Sequence, residues 1–283
     1  TFTDFQIFNK ASGETFELKT PTTPEDPTSG MVRGLESAAE RFDFRLDTID
    51  SITHGTTIAT NALLQGNLPR GGLITTEGFT DVLEIGRHVR RDVYSLAPET
   101  RPPLVARRDR FALPERMAAS GVSTTPVDRV TLANIAEHIG QRDIATIAVC
   151  LINAHINPAH EIEVGDWLRS HFPGMPISLS NEISPEIREY ERTSTVVLNA
   201  LLRPILETYI RNLEARLADI GVSAKLYIIQ SNGGVCSPRT AATEPVRLFL
   251  SGPSGGAAAA RHMAATLNVP NMIAMDIGGT STD

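Results

Sequence analysis

Residues 276–283 read DIGGTSTD, and residues 1–4 read TFTD, which differs from the closing TSTD at one position. In the longer copy an apolar run, Met272 to Met275, reads as a strand that delivers Asp276 at its end. A carboxylate placed there suits a hydrated magnesium ion. Gly278 and Gly279 let backbone N–H groups turn onto phosphate oxygens with no Cβ in the way. Thr280 and Thr282 add hydroxyl donors, and Asp283 can orient a water, a metal or the turn itself. No lysine is present, so this is not the GxxxxGK[ST] loop. A glycine hairpin capped by threonines fits the same eight letters. The partial copy at the start of the chain shifts the balance, because TFTD also leads into a strand-like run. A duplicated pair of phosphate loops is the expectation.

Working outward from the two ends, TFTDFQIFNK and GETFELKTPT read as strands joined at Ala11-Ser12-Gly13. Asp26-Pro27 marks a helix start, with an N-cap followed by proline in the first helical position, and the helix runs to about Phe42. SITHGTTIATNALL leads to a short strand, GGLITT, and a short helix is expected within 81–89. Residues 98–129 are rich in proline and arginine and read as surface loop and short strands. VTLANIAEHIGQRD predicts a helix, and the apolar run ATIAVCLI predicts a strand buried on both faces. Asn157-Pro158 opens a further helix, and PISLS is again strand-like. This alternation implies α/β layering with parallel pairing. Apolar residues at helical spacing from Glu189 to Leu217 predict a helix that Pro204 should break or kink. Beyond it, KLYIIQSNGGV, RLFLSGPSGG and MIAMDIGGTSTD each read as a strand running into glycines, where backbone must approach something closely.

With 283 residues the chain is long enough for two domains. The excess of 33 acidic over 26 basic residues, a net charge of −7, disfavours nucleic acid or an anionic membrane as the main partner. No stretch approaches the roughly 18 continuous apolar residues of a membrane span, and no signal peptide is visible, so cytoplasmic is the default expectation. Cys150 reads as a buried small hydrophobe, and with no CxxC neither a zinc ribbon nor a redox pair is suggested.

Among the histidines, His54 stands out, flanked by Gly55, Thr56 and Thr57 and, a turn later, Asn61. A substrate-facing or acid/base role and a helix-capping turn histidine both fit these residues. His155 and His160 lie five apart across Asn157-Pro158 and do not share a helical face as a metal pair does. GPSGG (252–256) matches G-x-S-x-G, yet Pro253 precedes the serine, and His262, the only later histidine, sits on the helix that follows at once. A serine hydrolase there is the weaker reading.

THGTTIATNALLQ, LITTEGFTDVLEIGR, NPAHE (157–161), QSNGGV, SGPSGG and DIGGTSTD occur in the order seen in the hydantoinase A / 5-oxoprolinase family, which the chain resembles over nearly its whole length. That family includes ATP-dependent acetone and acetophenone carboxylase subunits. The resemblance implies an α/β fold of the actin/heat-shock-protein/sugar-kinase-like (RNase H-like) ATPase type. Residues 1–187 are then the family's N-terminal domain, and 188–283 the start of its ATPase-like domain. Members begin a few residues earlier, with DxGGTFTD, and continue several hundred residues further, so the chain reads as an incomplete N-terminal fragment, inactive alone. Thr1, Thr3 and Asp4 become the remnant of the first phosphate loop, and Asp276, Gly278, Gly279, Thr280, Thr282 and Asp283 the second, with Asp276 the metal ligand. Gly252, Gly255 and Gly256 feed a helix whose N-terminus favours an anion. His54 becomes a catalytic residue, with Thr56, Thr57 and Asn61 near the substrate. The implied activity is ATP-dependent hydrolysis of a cyclic amide, of the hydantoin or 5-oxoproline type, with magnesium or another divalent metal and a second subunit of the hydantoinase B type. A ketone carboxylase subunit on the same scaffold and a non-catalytic fragment are the alternatives.

Overall fold

The computed structural model describes residues 2–21, 23, 26–89, 94–96 and 102–275. It opens with an antiparallel hairpin of β1 (Phe2–Phe8) and β2 (Thr15–Pro21), in which exposed and half-buried residues alternate along both strands. The carboxamide of Asn9 accepts the backbone N–H groups of Ala11 and Ser12 at 2.9 and 3.3 Å, which shapes the turn. Helix α1 (Pro27–Arg41) starts as its sequence predicts, with the Asp26 side chain accepting from Ser29 N–H. Hydroxyls of Thr28 and Ser29 hold the Asp26 carboxyl down at about 2. Arg216 closes on both Asp26 and Ser29. Gly34 lets the helix lie close on the hairpin, since a Cβ there would run into the Phe5 ring.

The chain continues through β3 (Ser51–His54), α2 (Ile58–Leu64), β4 (Gly71–Thr76), α3 (Val82–Ile85), β5 (Arg110–Leu113), β6 (Arg116–Met117), β7 (Ser123–Thr125), α4 (Arg129–Gly140) and β8 (Thr146–Cys150). It then forms α5 (Ala159–His171), β9 (Ile177–Leu179), α6 (Ser180–Ile183), α7 (Glu189–Asp219), β10 (Lys225–Ile229), β11 (Val235–Cys236), α8 (Pro238–Thr243) and α9 (Ser251–Leu267). Two compact units result. The first comprises residues 1–61, 206–243 and 247–283, and the second comprises 62–205 and 244–246. A division at 187/188 falls inside the second.

In the second unit β5-β4-β8-β9 form one sheet, parallel throughout. Alternation along β8 sends Ile147 and Val149 to a core shared with Leu132, Ile135 and Leu168 of α4 and α5. Ala148 and Cys150 join Val196, Val197 and Leu201 of α7 on the other side. Gly71 makes room there, because a Cβ would stand 2.6 Å from Leu201 Cδ2. Just past β8, the Leu151 peptide groups are gripped by two buried charged side chains. Glu161 accepts from Leu151 N–H at 2.7 Å, and Arg192 donates to Leu151 C=O at 2.9 Å. Ser180 Oγ (2.6 Å) and Asn181 N–H (2.8 Å) also donate to Glu161. Burial outweighs these donors and pushes the Glu161 carboxyl up to about 7.

Within 98–129, β5 is one of the short strands expected there, and Phe111 and Leu113 place it in the core. Three expectations are corrected. Helix α7 runs for 31 residues through Pro204 without a break, because its buried face outweighs the cost of about 3 kcal/mol that an interior proline imposes. RLFL forms no strand: Pro245–Leu248 make a short 3-10 turn and α9 begins at Ser251. Residues 271–275 likewise form no strand and are exposed.

The raised Glu161 value gives a pH signature. Between about 4.5 and 7 the folded state binds the extra proton, so stability falls as pH rises through this window. The stability advantage of the wild type over Glu161→Gln is expected to shrink by about 3 kcal/mol between pH 5 and pH 8. Urea unfolding of both proteins at the two pH values measures it, and a constant difference refutes it.

Candidate functional site

β3 and β10 run side by side and parallel, with His54, the last residue of β3, in register with Ile228. The carboxyl ends of parallel strands are where α/β folds gather ligand-binding loops. Three of the glycine-bearing motifs meet here, all within the first unit. After β10, Gln230 N–H donates to Gly234 C=O at 2.8 Å and the chain turns back into β11. Ser231 is tied to the carbonyl of Arg247 through its backbone N–H (2.7 Å) and its hydroxyl (2.5 Å). Leu250 N–H donates to Thr60 Oγ1 and the Ser251 hydroxyl to Thr56 C=O, both at 3.2 Å. These bonds bring THGTT, QSNGG and the start of α9 together.

His54 Nε2 lies 2.7 Å from the Tyr209 hydroxyl. Burial lowers the imidazole to about 4 and raises the phenol to about 12, so both are neutral at pH 7. Tyr209 also hydrogen-bonds Thr56, whose Oγ1 accepts Ile58 N–H at 3.3 Å. A hydroxyl has one proton and two lone pairs, so the Tyr209 phenol can donate to His54 Nε2 or accept from it. With the phenol donating, the neutral ring keeps its proton on Nδ1 and presents an N–H donor suited to polarising or orienting a carbonyl.

Thr57 and Asn61 are paired with each other across the first turn of α2, through Asn61 Nδ2 to Thr57 Oγ1 at 3.1 Å. Gly252, Gly255 and Gly256 lie inside the first turns of α9 instead of before it, and no heavy atom approaches within 4 Å of where their Cβ atoms would stand. Thr3 and Asp4 lie on β1, where Asp4 faces Lys19 across the hairpin in an exposed ion pair of 3.1 Å. Thr1, Asp276, Gly278, Gly279, Thr280, Thr282 and Asp283 lie outside the described residues.

Ser254 sits in α9 with its hydroxyl donated to Ser231 C=O, and His262 is on the same helix, so no nucleophile elbow forms. His155 Nδ1 faces the Arg192 guanidinium at 3.0 Å, whereas His160 bonds Glu115. The two histidines are not a pair. Among the described residues no group of three or more histidines, cysteines and carboxylates is arranged to hold a metal. Tyr209 is the residue that sequence reasoning missed. By spacing alone it belongs to the apolar stripe of α7, and 155 positions separate it from His54.

The profile of the hydantoinase/oxoprolinase N-terminal region matches residues 1–172, and that of the hydantoinase/oxoprolinase region proper matches 192–283. A Methanocaldococcus jannaschii protein is 38% identical over 99% of this chain and 41% of its own length. Caprolactamase subunit alpha of Pseudomonas jessenii is 31% identical over 100% of this chain and 41% of the relative. The gamma subunit of acetophenone carboxylase from Aromatoleum aromaticum is 32% identical, covering 100% and 40%. The crystal structure of the ATP-dependent caprolactamase from P. jessenii superposes with a TM-score of 0.88 at 30% identity, covering 100% of this chain and 42% of that one. A nucleotide-free acetone carboxylase structure gives 0.87 at 24% identity with the same coverage, a likeness of fold alone. The chain thus spans about two-fifths of the length of these relatives. The parallel-sheet α/β architecture agrees with the actin-like ATPase type that the sequence implies.

The depressed His54 value means that stability from this ring is present above about 6.5 and is lost as pH falls toward about 4. NMR titration of the imidazole is expected to show a midpoint near 4. A midpoint near the ordinary value of about 6.5 contradicts the buried, phenol-bonded ring.

Proposed function

The chain belongs to the hydantoinase/oxoprolinase family, and on that premise we propose that the whole protein hydrolyses a cyclic amide of the hydantoin or 5-oxoproline type at the expense of ATP. Opening an unstrained lactam or imide is uphill or slow without activation. Bound ATP would supply a phosphoryl group that makes the carbonyl oxygen a leaving group, with magnesium or another divalent metal neutralising charge. The observation that carries the reading is the neutral His54, held by Tyr209 at the carboxyl end of β3, among the three converging glycine motifs.

In this reading the Nδ1–H of His54 orients and polarises the substrate carbonyl, and Thr56, Thr57 and Asn61 line the approach. Thr1, Thr3 and Asp4 with Asp276, Gly278, Gly279, Thr280, Thr282 and Asp283 hold the nucleotide, and Asp276 takes the metal. Gly252, Gly255 and Gly256 fit a phosphate in one respect, the open space over their Cβ-free faces. Asp4 fits less well, being already ion-paired with Lys19. The division into an N-terminal domain, 1–187, and an ATPase-like domain opening at 188 is supported by the break between the two matched regions. Relatives named as alpha and gamma subunits support a partner of the hydantoinase B type. Among the described residues no helix is long and apolar enough to cross a membrane, and a cytoplasmic location is proposed with the rest.

A ketone carboxylase subunit is the second reading, favoured by the likeness to the acetophenone carboxylase gamma subunit. Assay of the whole protein with its partner subunit separates the two. ADP release is expected to rise with hydantoins, 5-oxoproline or another lactam and to be indifferent to bicarbonate. Stimulation only by a ketone with bicarbonate selects the carboxylase, and silence with every cyclic amide ends the first reading. Asp276→Asn should abolish turnover without unfolding, and His54→Ala should lower kcat by about a hundredfold or more. Undiminished turnover in either variant removes that residue from the site.

A further inference from the structure

A second chemical constellation lies wholly within the other unit. His160, on α5, has its Nε2 2.8 Å from the Ser123 hydroxyl and its Nδ1 2.6 Å from Glu115 Oε2. The Glu115 side chain is fully buried and that of His160 is 9% exposed, whereas Ser123, on β7, faces solvent. The carboxylate fixes the proton positions. An ionised Glu115 can only accept, so the Thr76 hydroxyl, which takes Ile152 N–H at 2.9 Å, donates to Oε1, and the imidazole proton lies on Nδ1. Nε2 is then left to accept from Ser123. The β6–β7 hairpin is pinned ahead of the serine by Asn153 Nδ2 to Met117 C=O and Asn157 Nδ2 to Gly121 C=O, each at 2.8 Å.

We propose that Ser123, His160 and Glu115 form a nucleophilic site that cleaves small activated esters without ATP. Nucleophile, base and orienting carboxylate occupy the mutual positions that serine acyl transfer requires. Ser123 Oγ attacks the acyl carbon while its proton moves to His160 Nε2, and the imidazolium is stabilised by Glu115. The departing alcohol takes that proton, leaving an acyl-serine. Water then attacks with its proton going to His160, the carboxylic acid leaves, and Ser123 is regenerated. Because Ser123 stands on an open surface, esters with good leaving groups are the substrate class, since they depend least on enclosure.

The test is labelling of the whole protein with a fluorophosphonate, in which Oγ displaces fluoride from phosphorus, followed by peptide mass spectrometry. Ser12 is the internal control, an exposed serine bonded directly to Glu14 at 2.9 Å with no imidazole between. Ser123 is expected to react at least about a hundredfold faster than Ser12, the contribution of a positioned general base. p-Nitrophenyl acetate hydrolysis should be lost in Ser123→Ala, which keeps its fold because only an exposed hydroxyl is removed. Equal labelling of Ser123 and Ser12, or undiminished ester hydrolysis in Ser123→Ala, overturns the proposal. Neither result bears on the ATP-dependent reading, which uses other residues.

Discussion

A parallel sheet needs cover on both faces, and that constraint organises the second unit. Its strands cannot alternate apolar and polar, so β8 carries Ile147 and Val149 toward one helical layer and Ala148 and Cys150 toward the other. Double burial leaves the chain with a difficulty at the strand end, where peptide groups leave the ladder far from water. Glu161 and Arg192 resolve it by taking the N–H and C=O of Leu151. Both side chains are nearly inaccessible, and each finds its partners in backbone as much as in opposite charge. A buried carboxylate facing three donors is costly to remove and costly to ionise, so the same residue that closes the strand end also makes the fold sensitive to pH.

Each of the two chemical clusters centres on a histidine held by one polar side chain. His54 Nε2 meets the Tyr209 hydroxyl, which also bonds Thr56, and His160 Nδ1 meets Glu115, which also accepts from Thr76. The two partners differ in what they dictate. A phenol can donate or accept, whereas an ionised carboxylate only accepts. The carboxylate therefore places the His160 proton on Nδ1 and leaves Nε2 as the lone pair that Ser123 meets.

Much of this was legible in the letters, and the rest was hidden for identifiable reasons. Asp26-Pro27, the alternating hairpin strands and the apolar run of β8 carry local signals strong enough to fix their elements. Within 98–129 short strands are legible but the depth of β5 is not, because it carries Arg110, a fully buried arginine whose partners, Val105 C=O and Glu84, are scattered along the chain. Pro204 was read by its local penalty, which packing of a 31-residue helix overrides. Gly252, Gly255 and Gly256 read as glycines at a strand end, yet they lie in helix, where glycine costs stability. His54 was picked out from its neighbours Thr56, Thr57 and Asn61, but Tyr209 belongs to a different helix and no spacing rule reaches it. The metal ligand and second phosphate loop, Asp276 onward, rest on sequence alone.

The tie between Asp26 and Arg216 joins residues 190 positions apart, and the unit it closes is interrupted by nearly all of the other. During synthesis, residues 62–205 can therefore complete their own core while the first 61 residues are still waiting for the segment that begins at 206. The hairpin can form early, because its contacts are local, but the N-terminal helix is without its arginine until the far end of α7 leaves the ribosome. The nascent chain thus carries a partly assembled first unit through most of its elongation. A truncation before Arg216 would leave the start of the N-terminal helix without the cation that closes on Asp26 and Ser29.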